Sequence, residues 1–261
     1  MTQTFRKDVQ EGHVVFWNTN SKYKNALTES YNLALIEALE EASADAAIGS
    51  VILAAEGDFF CSGGDLNFLK ENNSLSEQER FDNINALHDV IKAIRTCTKP
   101  VICAVEGGAA GAGLSLMMAC DMIVAAEQSK LILAYVNAGL VPDGGVTHSL
   151  RAALPRALVS KLAMLGEPIS AQRLFELGAI SEVTLKGKAL EEAQKLAARI
   201  YAGPDKVIGS IKALLEAAET NGLDAQLDLE CNTMAQALAG EEASIGVSAF
   251  LNKEAPKFRS S

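Results

Sequence analysis

VICAVEGGAAGAGLSLMMACD, residues 101–121, is the stretch on which the reading of this chain turns. Val101 to Val105 is short, apolar and partly β-branched, the pattern of a buried strand. Gly107, Gly108, Gly111 and Gly113 follow with only alanines between them, and Leu114 to Cys120 reads as a buried helix. Strand, side-chain-poor turn and helix start together let a ligand come close to the backbone. The first N–H groups of such a helix lack internal partners and sit at the positive end of its dipole. That suits an anion, or an oxygen that becomes negative during a reaction. Tight packing of helix on sheet would give the same composition, so the stretch alone leaves packing and chemistry both open. Spacing excludes better-known loops. A P-loop needs Lys-Ser/Thr after its last glycine, whereas Gly113 is followed by Leu114 and Ser115. The order Gly108-x-x-Gly111-x-Gly113 reverses the dinucleotide fingerprint, and Gly113-Leu-Ser115-Leu-Met117 lacks the second glycine of a nucleophile elbow. Ser115 therefore reads as a packing residue, or one bonded to backbone within its helix.

Composition narrows the class. The 261 residues suffice for one large domain or a domain with an appendage, and 49% hydrophobic content supports a packed core. A net charge of -10 argues against non-specific binding to nucleic acid or anionic membranes. Cys61, Cys97, Cys103, Cys120 and Cys231 form no C-x-x-C pair and read as reduced thiols of a cytoplasmic protein. MTQTFRKDVQEG at the start has no apolar core of a signal peptide. The charge-free run from Gly107 to Cys120 is shorter than the about 20 residues a membrane span takes.

Outward from the central stretch, strands are expected at Val14–Trp17, Val51–Ala55, Met122–Ala126 and Leu131–Ala134. Thr28 is placed to cap a helix whose Leu33, Ile36 and Leu39 share a face. Glu71–Arg80 reads as a polar, irregular loop before a helix over Phe81–Arg95, with Ile84, Leu87, Ile91 and Ile94 on one stripe. Helical patterns cover Thr147–Leu165, Ala171–Leu177 and Ala189–Tyr201. From Pro204 onward the chain is nearly all helix: Pro204–Thr220, Leu223–Ala239 and Glu242–Asn252. Alternation of strand and helix followed by helices alone predicts an α/β core with a helical appendage.

A second glycine-rich site, CSGGDL at 61–66, follows the strand at Val51–Ala55. The order and separation of KNAL (24–27), FFCSGGDL (59–66), KPVICAVEGGAAGAG (99–113), ACDMIVAA (119–126), GLVPDGG (139–145), GEPISAQRLFELGAI (166–180) and FLNKEAPKF (250–258) resemble the crotonase, or enoyl-CoA hydratase/isomerase, superfamily. The resemblance is greatest to its members assigned to oxepin-CoA processing in phenylacetate breakdown. It implies a ββα spiral core over residues 1–200, with the acyl-CoA site, and a helical trimerisation region over 201–261. It also implies an acyl-CoA thioester substrate, an oxyanion hole from the N–H groups of Gly64 and Ala112, and a homotrimer or dimer of trimers. Ala112 stands where many relatives have glycine, a change a backbone donor tolerates. Lys22, Lys24, Ala26, Ser62, Asp65 and Leu66 fall on acyl-CoA-binding positions. Lys253 and Lys257 fall where basic residues reach a 3′-phosphate, often across a subunit boundary. No resident cofactor or metal is expected, because coenzyme A enters as part of the substrate.

The departure from the pattern bears on the reaction. The two glutamates that handle water in family hydratases fall on Ser115 and Tyr135, and neither is a carboxylate. Asp143, in VPDGG, falls where the family's 4-chlorobenzoyl-CoA dehalogenases carry a nucleophilic aspartate and several ring-handling isomerases a proton-shuttling one. A Pro-Asp-Gly turn would be the plain reading of the same residues. The expected enzyme acts through an oxyanion-stabilised enolate with Asp143 as proton shuttle. Two alternatives stay open: Asp143-dependent hydrolysis or substitution on an aromatic-pathway or cyclic CoA thioester, and non-catalytic acyl-CoA binding. His148 lies near Asp143 in sequence and reads as structural or pocket-lining, and Glu71 and Glu77 are substitutes should Asp143 prove only a turn residue.

Overall fold

The computed structural model describes residues 4–65, 70 and 74–259, and among the described residues nine strands and ten α-helices have defined bounds. The strands are β1 (Phe5–Gln10), β2 (His13–Asn18), β3 (Ser50–Ala55), β4 (Val101–Val105), β5 (Gly108–Ala110), β6 (Met122–Ala126), β7 (Lys130–Ile132), β8 (Pro168–Ser170) and β9 (Glu182–Thr184). The helices of the first two thirds are α1 (Glu29–Ala44), α2 (Glu77–Thr96), α3 (Ala112–Met118), α4 (Val146–Ala153), α5 (Arg156–Leu165), α6 (Ala171–Glu176) and α7 (Ala189–Tyr201). The chain continues with α8 (Asp205–Ala218), α9 (Leu223–Leu238) and α10 (Glu241–Asn252).

The main sheet has the order β1-β2-β3-β4-β6-β9, with β1 antiparallel at the edge and every other pairing parallel. Its central strands are buried on both faces, and side chains alternate between two cores. Val14, Phe16, Val51, Leu53, Val101, Cys103 and Val105 face α1 and α2 in one core. Val15, Ile52, Ala54, Ile102, Ala104 and Val124 face Ala189, Ala193 and Ala197 of α7 in the other. That alanine stripe repeats every fourth residue, so α7 lies close on the sheet. A smaller sheet, β5-β7-β8, stands beside the carboxyl ends of the main one.

Several expectations shift. β1 has the sequence FRKDVQ and is largely exposed, so it lacks the apolar alternation that reveals a half-buried strand. On α1, Thr28 does cap, its Oγ accepting from the Tyr31 N–H at 3.2 Å, but the buried face is Tyr31, Leu35, Ala38, Leu39 and Ala42, and Leu33 points to solvent. Helix α2 starts within the stretch read as loop. Ser76 Oγ accepts from the Glu79 N–H, and Glu79 Oε2 accepts from the Ser76 N–H at 2.8 Å, a capping box. Ile84 on α2 is exposed, while Leu87, Val90, Ile91 and Ile94 are buried. Pro155 splits the pattern over Thr147–Leu165 into α4 and α5.

Helix α8 is held to the core by charge. Arg95 pairs with Glu216 (2.7 Å) and Glu219 (2.5 Å), and Lys99 with Asp205 (2.9 Å). The buried Lys212 donates to the carbonyls of Ile94 and Lys99 and pairs with Asp121 at 2.7 Å, so its three protons all have acceptors. Four cysteines are buried, and Cys231 on α9 is exposed. No helix among the described residues is long and apolar enough to cross a membrane.

Candidate active site

Because β2, β3 and β4 run parallel, their carboxyl ends share one edge, and three loops leave there side by side. The loops are 20–27, 56–65 and 106–112. Backbone hydrogen bonds stitch them into a second layer. The Ser62 N–H donates to the Lys24 carbonyl (3.0 Å), Leu27 N–H to Gly63 (2.8 Å), and Ala110 N–H to Cys61 (2.9 Å). Asparagine side chains reinforce the seam. Asn25, buried and in a left-handed conformation at φ 55, donates to the carbonyls of Glu56 (2.8 Å) and Phe59 (2.7 Å). Asn18 donates to the Asn25 carbonyl and Asn20 to that of Ala26. Asparagine suits both tasks, since it tolerates the left-handed region and carries amide donors.

The seam brings the two glycine-rich loops into contact. Gly63 has φ +96, and a Cβ there would lie 2.7 Å from the Ala110 carbonyl oxygen and 3.0 Å from the Ala112 nitrogen, so only glycine fits. Ala112 is the first residue of α3, after Gly111 at its N-cap. Gly64 forms an isolated parallel bridge with Leu27, whose N–H is taken by the neighbouring Gly63 carbonyl. The N–H groups of Gly64 and Ala112 have no acceptor among the described residues. Two unpaired donors on touching loops, one at a helix N-terminus, have the makings of an oxyanion hole.

One turn further along α3 stands Ser115, about 4.5 Å up the axis from Ala112 at the usual rise per residue. Its buried hydroxyl reaches the Asp143 carbonyl (2.9 Å) and the Tyr135 hydroxyl (2.9 Å). Tyr135, in the 3-10 turn Ala134–Ala138, donates to Asp143 Oδ1 at 2.7 Å. The half-buried Asp143 precedes Gly144, whose φ is +62; a Cβ there would meet Ser115 Cβ at 2.8 Å. Burial, and next the neighbouring Asp143 carboxylate, push the Tyr135 phenol well above its ordinary range, so it stays protonated and available as a donor. Cys61 is a different matter: burial pushes its thiol up to about 12, against a weaker opposing bond from the Gly63 N–H. A thiol held there is no nucleophile near neutrality.

The structure thus brings Gly64, Ala112 and the Ser115–Tyr135–Asp143 cluster to one edge of the sheet. Lys22 and Lys24 are exposed on the adjoining loop, over the rings of Tyr23 (5.3 Å) and Phe59 (5.6 Å), and neither is in an ion pair among the described residues. Ala26 is buried in the seam, Ser62 Oγ donates to the Tyr23 carbonyl at 3.3 Å, and Asp65 closes the described part of the loop. Leu66 and Glu71 lie outside the described residues. Lys253 and Lys257 are not brought to these loops. Lys253 ends α10 at φ 58, and Lys257 lies by Arg259, which stacks on Tyr201 beside Gly12 and Gly49 at the opposite ends of β2 and β3. His148 pairs with Glu219 (3.5 Å) on the α8 side, and Glu77 is exposed at the start of α2. The hydroxyl that Ser115 spends on backbone goes to Asp143, and not to its own helix as expected. Among the described residues, no cluster of three or more His, Cys, Asp or Glu side chains could hold a metal ion.

The model of the enoyl-CoA hydratase/isomerase family matches residues 13–261. The chain belongs to the enoyl-CoA hydratase/isomerase family. It is 34% identical over 261 residues to the 1,2-epoxyphenylacetyl-CoA isomerase of Escherichia coli (strain K12), covering 99% of each chain. It is 30% identical over 237 residues to the 2,3-dehydroadipyl-CoA hydratase of the same organism, covering 90% of this chain and 91% of that one. The crystal structure of an enoyl-CoA hydratase from Polaromonas sp. JS666 superposes with a TM-score of 0.95 at 40% identity, over 98% of this chain and 99% of that one. This enzyme of the enoyl-CoA hydratase/isomerase family is thus similar along nearly its whole length both to proteins named hydratases and to one named an isomerase.

Proposed function

We propose that the enzyme moves a proton between carbons of an acyl-CoA thioester through an enolate, and does not add water. The single observation that carries this reading is the cluster around Asp143. Ser115 and Tyr135 stand where the resemblance places the hydratase carboxylates, and both offer hydroxyls already engaged with Asp143. One carboxylate can take a proton from carbon and return it to another carbon. The C–H bond breaks toward Asp143, the electron pair spreads onto the thioester oxygen held by the N–H groups of Gly64 and Ala112, and the proton returns elsewhere on the allylic system. The end-to-end similarity to a relative named as an isomerase supports the same direction.

Lys22 and Lys24 are assigned to the CoA phosphates, and Ala26, Ser62 and Asp65 to the channel walls along the seam. Lys253 and Lys257 then serve a neighbouring copy's site. This fits a division into a core over 1–200 and a helical region over 201–261 that assembles a trimer or dimer of trimers. Leu223, Leu227, Met234 and Leu238 are exposed along α9, a face that assembly would bury. A monomer by light scattering at micromolar concentration would overturn the assembly.

The reaction is tested with three thioesters. Butyryl-CoA in D2O should gain deuterium at its α-carbon, trans-3-hexenoyl-CoA should isomerise, and crotonyl-CoA should hydrate far more slowly than either turns over. Rapid hydration of crotonyl-CoA without exchange into butyryl-CoA would sink the proposal.

A further inference from the structure

The Asp143 cluster holds more contacts than its hydroxyls have protons. With Asp143 ionised, Ser115 and Tyr135 supply one proton each, yet there are three contacts: Ser115 to the Asp143 carbonyl, Ser115 to Tyr135, and Tyr135 to Asp143 Oδ1. The carboxylate is the strongest acceptor of the three, so the tyrosine proton belongs to it. The serine proton is then shared between the Asp143 carbonyl and the tyrosine oxygen, both at 2.9 Å. Where it leans toward Tyr135 it polarises the phenol and strengthens the bond onward to Oδ1, as chained hydrogen bonds do. The route through Tyr135 ends on Oδ1, the other serine bond ends on the Asp143 main-chain carbonyl, and Oδ2 takes no bond from either hydroxyl.

We infer that Tyr135, backed by Ser115, is a positioning residue that occupies Oδ1 of Asp143 and so dedicates Oδ2 to the travelling proton. Ser115 adds a second constraint by holding the Asp143 main chain, so the base is tied at both carbonyl and carboxylate. Ser115 also shares a face of α3 with the Ala112 N–H, three residues before it. The base and one oxyanion donor are thereby referenced to the same helix, and their separation cannot drift without breaking the cluster. Asp143 sits in a turn between Gly139, at φ 70, and Gly144 and Gly145, at φ 62 and 70. A turn so rich in glycine has little of its own to fix a side-chain rotamer, and the two hydroxyls supply what it lacks.

This inference rests on Asp143 as the base, and the test separates the two. Deuterium exchange into butyryl-CoA in D2O is followed for Asp143→Asn, Tyr135→Phe, Ser115→Ala and the Ser115→Ala/Tyr135→Phe double variant, each with a thermal melt. Tyr135→Phe should lower kcat by on the order of 10-fold or more with KM within about twofold, since an oriented base acts only in the transition state. Ser115→Ala should lower kcat by a smaller factor. The double variant should fall short of the product of the two losses, because the serine acts partly through the tyrosine. Wild-type kcat in a folded Tyr135→Phe, alongside an inactive Asp143→Asn, overturns the inference and leaves the base in place. Losses that multiply in full overturn it too, as two separate packing effects. Full exchange in Asp143→Asn removes the base itself. Should Tyr135→Phe not fold, Ser115→Ala alone decides: an unchanged kcat rejects the inference.

Discussion

The two halves of the site are made of different material. The half assigned to the thioester oxygen is main chain: the N–H groups of Gly64 and Ala112, fixed by loops that hydrogen-bond to one another. The half assigned to the proton is side chain: Asp143, with Tyr135 and Ser115 around it. A main-chain half depends on backbone path and is indifferent to most side chains, which is why alanine at 112 is tolerable. A side-chain half depends wholly on residue identity, so the same scaffold can exchange one proton-handling set for another. On that proposed assignment the main-chain half would be common to the family and the side-chain half would set the reaction.

Substitutions can break either half. Ala112→Pro removes a donor N–H at the first position of a helix, where proline is well accommodated. kcat should fall by on the order of 10²–10³-fold with the fold intact, measured by steady-state turnover of trans-3-hexenoyl-CoA and a circular-dichroism melt. Unchanged turnover would remove Ala112 from the mechanism. Asp143→Asn keeps size and turn chemistry and deletes the base. It should cost at least about 10²-fold in kcat with thioester binding nearly unchanged by calorimetry. Should that variant instead lose binding and keep its single-turnover rate, Asp143 belongs to the wall of the site. Asn25→Ala probes the seam beneath both halves. It strands two half-buried carbonyls and forces alanine into the left-handed region, so urea unfolding should show a loss of about 2–4 kcal/mol. The smallest effect is expected away from the site: Thr28→Ala deletes the cap of α1 and should cost about 1 kcal/mol by the same assay, with kcat unmoved.

The contrast also governs what could be read from the sequence. Strands β3 and β4 were legible because burial on both faces demands short continuous apolar runs, and Ala189–Tyr201 because an amphipathic helix announces both ends. β5 was not legible, since Gly-Ala-Ala carries no pattern and pairs only because β7 lies beside it. Gly64 and Ala112 could be placed by motif, because glycine-rich loops are themselves the signal. Tyr135 could not. It is 20 residues from Ser115 and 8 from Asp143 in the chain, and a tyrosine followed by valine and asparagine looks like core. The usable signal was joint: both hydratase positions changed to hydroxyl residues in a chain that keeps Asp143. The asparagines of the seam carry no pattern of their own: Asn18 ends β2, Asn20 and Asn25 lie in the loop after it, and their partners are main-chain carbonyls that only the fold brings near.

Cys231 lies on α9 with Leu227 four positions before it and Met234 three after, so thiol and exposed apolar side chains occupy one stripe. The other four thiols are buried. A colorimetric thiol reagent applied to the native protein is thus confined to a single address, and its rate there measures solvent access to that stripe. Slow labelling that accelerates on dilution would time the uncovering of α9, whereas fast labelling at every concentration would mean the stripe stays wet. If α9 is covered in the proposed assembly, this thiol is a chemical clock for its uncovering, with no label to engineer.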